Sequence, residues 1–578
     1  MKKTKEWIYQ TVIKIIFAML YALFLTLGDY DKVLSWSGVQ IAGRLAGWSV
    51  LAFAVLSALF AGLDYVTRKD RRLCESGEKK GREKRVFFIF AVVCLLCWMP
   101  YFLIYFPGWV SNDTVWQLQQ ACGWVEPSNH HPWMHTTIIK TFFMLGFRMF
   151  RTYTGAVATF VFVQMVFMSL VYARVLTDFY EKRVRLVWLV LALFFYACLP
   201  VNGLYAICMG KDVIFAGVLL LFAREVSHYG LFEARNREAG KNRAGKDTEE
   251  LEEAGKGQGG KRGCIEQAYG WIREAAPYLR MGILGLLVCM LRSNGILVYA
   301  GTAAGMVIVG VRHRNWQKIT ACTVAVLLCY FVYHGPVLHM LHVTQPDTIE
   351  GLTMPTQHLL SAYLNGGELT EEEIALLGEV APMEYIASYY NPYYFDIVKE
   401  YIRTEGNQQV ISDHKGKYFA LWVRAGLRNL AQYLEAEVRQ TYGYWRFDSN
   451  EPIYEQYRMA ENPFELTTKR KVFSYDFGLW MDDFLLKFQD FYNKVWSLGL
   501  TTWTMLACLA YALYKRRTTL VYLPYVMLFV SLLLATPVHA EFRYTYGMFV
   551  ALPFLVGITV SGGHLKQSTF LDIEREES

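Results

Sequence analysis

The sequence predicts an all-α integral membrane protein with about twelve transmembrane helices and two large extracytoplasmic segments. Three observations carry this expectation. Of its 578 residues 54% are hydrophobic, and they gather in runs long enough to cross a bilayer core. Clusters of lysine and arginine sit beside the runs, in TRKDRRLCESGEKKGREKR, YEKRVR, VRHRNWQK and YKRR, as they do in cytoplasmic loops. Two longer polar and aromatic stretches, 107–153 and 341–492, then fall together on the other side.

Taken in order, the first run, 7–27, follows Lys2, Lys3 and Lys5 and has no small-residue cleavage site behind it, so an anchor is expected rather than a removed leader. With the run at 43–66 and the basic loop after it, it makes a two-helix extension, 1–85. Runs at 86–106, 154–175, 186–203, 212–226, 279–292, 295–311 and 317–338 form a membrane module, 86–340, with an outer loop, 107–153, and a cytoplasmic linker, 227–278. Segment 341–492 reads as an outer, mainly helical domain. Residues 493–578 supply three closing spans (493–514, 518–536, 543–563) and a tail, which places both termini in the cytoplasm. A further amphipathic run, 133–150, is assigned to the outer surface. Counting it as a crossing would carry ARNREAGKNRAGKDTEELEEAGKGQGGKRG outside, and that stretch has the charge and low complexity of a disordered cytoplasmic linker.

Composition also excludes some functions. The net charge of +7 is accounted for by the basic loops, so no nucleic-acid partner is expected. Most of the eleven cysteines lie in or beside spans, with Cys122 alone in the outer loops, which is no disulfide framework. Cys94 and Cys97 have CxxC spacing inside an apolar helix and read as packing. There is no Walker loop, no GxGxxG after a strand and no GxSxG elbow, so cytoplasmic nucleotide chemistry has no obvious place.

The chemistry-bearing residues concentrate in the first outer loop, YFPGWVSNDTVWQLQQACGWVEPSNHHPWMHTTIIKTFFMLGFRM. A helix starting near Thr114 would bring Asn112, Asp113, Gln117 and Gln120 toward one face. Asn129, His130, His131 and His135 follow, and Pro132 suits the first turn of the next helix. Bordering apolar helices, Asp113 is the first candidate for a general base acting on a hydroxyl; a plain helix-capping role competes with it. The predicted topology turns three other polar groups to the same side: Gly210-Lys211-Asp212, Arg292-Ser293-Asn294 and Glu541-Phe542-Arg543-Tyr544. Lys211, Arg292 and Arg543 together suit a phosphate, although Lys211 beside Asp212 and Arg543 beside Glu541 also read as simple ion pairs. His131 and His135, four apart, are a weak metal signal even with Asp113 or Glu126 nearby, and no metal ligands are assigned. A divalent cation, magnesium or manganese, enters only as a water-rich ion on the phosphate through Asp113. In the outer domain, Tyr389, Tyr390, Tyr393, Tyr394, Tyr442, Tyr444 and Trp445 read as an interfacial aromatic belt rather than as sugar-stacking platforms.

An acid just past a membrane helix (PGWVSND), followed by an HP pair opening an amphipathic helix (HHPWMH), resembles the GT-C superfamily of membrane glycosyltransferases. The later order of GKD, RSNG and EFRYTYG is similar too, and together these look like an uncharacterised bacterial multispanning membrane family placed near those enzymes. The resemblance spans most of 86–563 and implies a GT-C-like helix arrangement. It implies transfer of a sugar from a polyprenyl-phosphate carrier to an envelope glycan, lipid or protein on the outer face of the cell membrane, among membrane lipids. Asp113 would activate the acceptor hydroxyl, with inversion at the anomeric carbon, and Lys211, Arg292 and Arg543 would stabilise the departing phosphate. The substrate-binding set expected around them adds Asn112, Gln117, His130, His131, His135, Asp212, Asn294, Glu541 and Tyr544. The chain departs from well-known members in having a single acid where several carry a pair, and two spans before the first matched helix. Two other classes compete: a lipid-linked glycan flippase or transporter, and a non-catalytic protein that binds glycan carriers. Against a transporter, the polar groups sit at one interface rather than at mid-bilayer.

Overall fold

The computed structural model describes residues 2–33, 36–71, 82–182, 184–229, 261–312, 316–449, 451–453, 459–469 and 473–561. Most of the linker expected at 227–278 and the tail after 561 lie outside the described residues. Among the described residues the regular structure is helical, and the only β-type pairings are isolated bridges.

Each apolar run named above falls on a helix or, at 186–203 and 493–514, across a bent pair of helices. Among the described residues six helices are long and apolar enough to cross a membrane: Thr4–Gly28, Gly38–Thr67, Glu83–Ile104, Tyr153–Glu181, Trp316–Met340 and Phe542–Val560. Two bent pairs, Leu186–Cys198 with Pro200–Ala206 and Tyr475–Val495 with Leu498–Tyr514, raise the number to eight. Ala275–Leu291, Gly295–Val311 and Leu520–Ala535 are apolar but shorter. This is the architecture of a multi-pass membrane protein. The expected twelve crossings are met only in part, because hydropathy marks every apolar run whether or not its helix has the length to span.

Burial separates the centre from the periphery. Most residues of the apolar stretches of Tyr153–Glu181 and Phe542–Val560 are buried, whereas those of Gly38–Thr67 and Trp316–Met340 are mostly not and turn their apolar side chains outward. In the centre the Tyr172 and Tyr546 hydroxyls lie 3.1 Å apart, and the Tyr196 hydroxyl donates to the Val550 carbonyl at 2.9 Å. Such satisfied hydroxyls avoid the cost of an unpaired polar group in an apolar interior. The helix starts are set locally. Thr152, Ser474 and Ser497 each accept a backbone N–H from the first turn of the helix they precede.

One end of the bundle is tied by buried charge. Asp178, 2% exposed, accepts from Arg224 Nε at 2.6 Å and Nη2 at 2.9 Å, and Arg174 lies 3.0 Å away. Glu225 joins Arg224 to Arg280 at 2.6 and 3.0 Å. Removing one member strands another charge in a dry place, so Asp178→Ala is expected to destabilise the fold by about 3–5 kcal/mol. Thermal unfolding in detergent checks this; an unchanged midpoint would contradict it.

Segment 341–492 divides. Helices from Thr353–Leu364 to Leu430–Thr441 close a core of their own around Ile349, Leu360, Val398 and Leu421. Residues after 441 instead join the main core through Tyr444, Trp445, Phe464 and Tyr492. The expected aromatic belt is accordingly corrected for Tyr444 and Trp445, which are buried, while Tyr389 and Tyr394 stay exposed. Tyr444 is fully buried and its hydroxyl donates to the Val538 carbonyl at 2.9 Å. Tyr393 and Tyr442 pack on the His539 ring, with centroids 5.5 and 5.1 Å away. These rings seat segment 341–492 on the start of the last helix.

Candidate functional site

Three short backbone pairings assemble the site. Trp109 bridges to Cys208, its N–H donating to the Ile207 carbonyl at 2.9 Å, which brings the first outer loop beside the start of helix 211–229. Ser128 bridges to Thr344, joining the histidine loop to the outer segment. Tyr394 bridges to Val538, joining that segment to the approach of helix Phe542–Val560. The first pairing depends on Gly108, whose φ of +126° is left-handed and whose missing Cβ would lie 2.6 Å from Val161 and 2.9 Å from the Ile207 oxygen. Thr114 Oγ1 then donates to the Met209 carbonyl at 2.9 Å, and Gln164 Nε2 holds the Ala206 and Cys208 carbonyls at 3.0 and 2.7 Å.

At this junction Asp113 stands in the first turn of helix Asn112–Cys122, where the helix dipole favours a carboxylate. Ser111 occupies the N-cap position, so Asp113 is not the cap. Its Oδ2 lies 3.2 Å from Arg543 Nη1 and 3.5 Å from Lys211 Nζ. Lys211 Nζ is also 3.2 Å from His131 Nδ1. An ammonium only donates, so His131 Nδ1 accepts and its proton resides on Nε2. Behind this triad Arg292 Nη1 pairs with Asp212 Oδ1 at 3.1 Å and lies over the Tyr544 ring at 4.9 Å, while Arg543 covers the same ring at 5.1 Å. Arg543 also pairs with Glu541.

Electrostatics follows from these neighbours. Burial pushes the Asp113 carboxyl up, but Lys211, His131, Arg543 and His130 outweigh it and hold the group well below the usual carboxylate range. His131 is driven down to about 2 by burial and then by Lys211, so it is neutral at physiological pH. Because the Asp113 pKa is lowered in the folded state, the stability this carboxylate contributes is present throughout the neutral range. It is lost only as pH falls below roughly 4, the ordinary Asp value, toward the lower folded one. The ionised-carboxylate infrared band missing from Asp113→Asn is therefore expected to persist in the wild type at about pH 5; its disappearance there would contradict the assigned environment.

The sequence-derived set is only partly reunited. Asp113, His130, His131, Lys211, Asp212, Arg292, Glu541, Arg543 and Tyr544 lie in one connected group. The ion pair expected within Lys211-Asp212 is replaced by two longer-range ones, Lys211 with Asp113 and Asp212 with Arg292. Gln117 and His135 are buried beside it: Gln117 Oε1 faces His135 Nδ1 at 3.1 Å and Gln117 Nε2 donates to Thr136 at 2.8 Å, and the Lys211 charge reaches His135. They fasten the two loop helices to each other, and burial drives His135 down to about 3. Asn294 donates to Ser531 at 2.8 Å and clasps two helices. Asn112 is exposed. Sequence reasoning missed Glu350, whose carboxylate lies 3.5 Å from His130 Nδ1 and also pairs with Lys399 and Arg403. It sits in QPDTIEGL, which carries no distinguishing pattern.

Among the described residues no three His, Cys, Asp or Glu side chains form a metal-holding group. Among the described residues Asp113 is the carboxylate that pairs with Lys211, and Glu541 and Asp212 are each committed to an arginine. Magnesium and manganese keep several waters and bind through one or two carboxylates plus substrate phosphates, so Asp113 would be the protein's share of a cation held on the phosphate.

Fold and site together define an all-helical, multi-pass membrane protein with a charged cluster gathered at one end of its apolar bundle. The family DUF6020, described as a family of unknown function, matches residues 126–568, and the chain belongs to it. The match takes in His130, His131, Lys211, Arg292 and Arg543 and begins after Asp113. No curated protein and no solved structure matches the chain.

Proposed function

We propose that this protein is a membrane glycosyltransferase that moves a sugar from a polyprenyl-phosphate carrier to an envelope glycan, lipid or protein on the outer face of the membrane. The observation that carries the reading is the meeting of one carboxylate, Asp113, with Lys211 and Arg543 within 3.5 Å, contributed by three distant parts of the chain. Helices 211–229 and Phe542–Val560 both present their N-termini there, which favours an anion further. The topology that goes with it has twelve crossings and both termini inside. It is supported by the gathering of Asp113, Lys211, Arg292 and Arg543 at one end of the helices while the Asp178 network lies at the other.

The chemistry runs as follows. The acceptor hydroxyl gives its proton to Asp113 as its oxygen attacks the anomeric carbon from the face opposite the carrier. The bond from that carbon to the carrier phosphate breaks, and the electron pair leaves on the phosphate. Lys211, Arg543 and, behind them, Arg292 stabilise the charge that develops there. In the free protein Asp113 is counter-ion to the same cations. A bound phosphate draws them toward itself and returns basicity to the carboxylate, so base and leaving-group site are prepared together.

The lipid part of the donor has a suitable place nearby. A cavity of about 370 Å³ between Phe195, Phe488, Tyr492 and Phe549 is lined almost wholly by apolar side chains. The Tyr492 and Phe549 rings pack against Phe542, the neighbour of Arg543. The test is incubation of proteoliposomes with synthetic polyprenyl-phosphate sugars and envelope acceptors. A glycosylated product of inverted anomeric configuration is expected; retention of configuration, or no product across the panel, would overturn the reading.

A further inference from the structure

The outer domain contains a second cavity, of about 440 Å³, within the roughly 300–1,000 Å³ of small-molecule pockets. Its walls are apolar, with Leu359, Val380, Met383, Ile386 and Ile402 among them, and one charged side chain, Lys415, stands on its lining. A sugar needs converging hydrogen-bond partners, and of the few polar groups on these walls Thr348, Tyr418 and Trp422 are engaged with Ser412, the Leu376 carbonyl and His358; a hydrocarbon chain needs none.

The helix that carries Lys415 supplies an independent observation. Lys415–Arg428 leaves Phe419 and Leu427 64% and 72% exposed, with Val423 between them on the same face. The stripe continues at Leu430, 68% exposed, and Leu434 on the next helix. Lys415, Lys417 and Arg424 flank it, while Arg428 pairs with Glu373 of a neighbouring helix. An exposed apolar stripe with a basic flank is the pattern of a helix lying on an anionic bilayer surface. Its far end is at the membrane boundary: the Tyr30 hydroxyl, between the first two apolar helices, donates to the Ala431 carbonyl. Its near end, Phe419, lines the cavity together with Lys415 and Trp422.

We infer that the outer-domain cavity takes one acyl chain of an anionic phospholipid from the outer leaflet, its head group held at Lys415. The exposed Leu434–Phe419 stripe gives the chain an apolar route that ends at Phe419 on the cavity lining. Occupancy is coupled to the charged site through one turn: Ile349 forms the cavity wall, and the adjacent Glu350 pairs with His130. The inference rests on the membrane placement and not on the transfer reading.

The test uses the full-length protein in nanodiscs containing phosphatidylglycerol with a diazirine at the end of one acyl chain. After illumination, label is expected in peptides within 349–422. Ile402→Trp, which fills the cavity, is expected to lower it about five-fold, and Lys415→Glu to lower it about as much while leaving labelling by the phosphatidylcholine analogue unchanged. Label confined to the apolar spans, or unaffected by Ile402→Trp in a folded protein, would overturn the inference. Should Ile402→Trp fail to fold, competition on the wild type decides. Saturable displacement from 349–422 by unlabelled phosphatidylglycerol supports the site, and no displacement refutes it.

Discussion

Asp113→Asn is expected to lower sugar transfer about 10²–10⁴-fold, the range lost with a general base, without weakening carrier binding. Asparagine keeps the size of the side chain but neither accepts the proton nor acts as counter-ion to Lys211 and Arg543. Those cations are then freer for phosphate, so affinity for the carrier should be equal to or tighter than that of the wild type. This opposite movement of turnover and binding separates a base from a residue that merely holds the loop in shape, whose loss would lower both. Single-turnover transfer and equilibrium binding of polyprenyl phosphate, measured on one preparation, check it. Equal transfer by both proteins would remove Asp113 from the mechanism.

Arg543→Gln is expected to have the next largest effect, about 10²–10³-fold in turnover, the size associated with losing one preorganised stabilising group, with carrier binding weakened as well. Arg543 is the hub of the cluster: it reaches Asp113, pairs with Glu541 and covers Tyr544. Lysine has one compact charge where arginine has a planar fork, so Arg543→Lys should recover only part of the loss. Steady-state kcat and KM for the three proteins check this. A fully active glutamine variant would show that the leaving group is not stabilised here.

Much of the site is legible in the sequence because ionisable groups beside apolar helix ends are costly and few. Once the basic loops fix the parity of the spans, Asp113, Lys211, Arg292 and Arg543 must share a side, and the structure brings them within contact of one another or of shared partners. The pairings inside the cluster are less legible. Adjacent charges in sequence suggest Lys211 with Asp212, yet the helix start turns them apart, and each finds a partner more than seventy residues away. Helical spacing places Gln117 on the face of Asp113 but says nothing of His135, which closes over it from the following helix. Glu350 is invisible because its role arises from the Ser128–Thr344 bridge, a contact across more than two hundred residues. The fold has the same character. The helices fall where hydropathy puts them, whereas the division of the outer segment near 441 depends on which core each aromatic side chain joins.

The central claim, transfer from a lipid-linked donor at the outer face, is tested most directly by leaflet-specific delivery. Sealed proteoliposomes of uniform orientation receive the polyprenyl-phosphate sugar either in the leaflet on the Asp113 side or only in the opposite one, with acceptor on the Asp113 side in both. The account predicts glycosylated product from the first arrangement alone. Movement of the intact donor between leaflets without product, or product from the opposite leaflet at an equal rate, would contradict it.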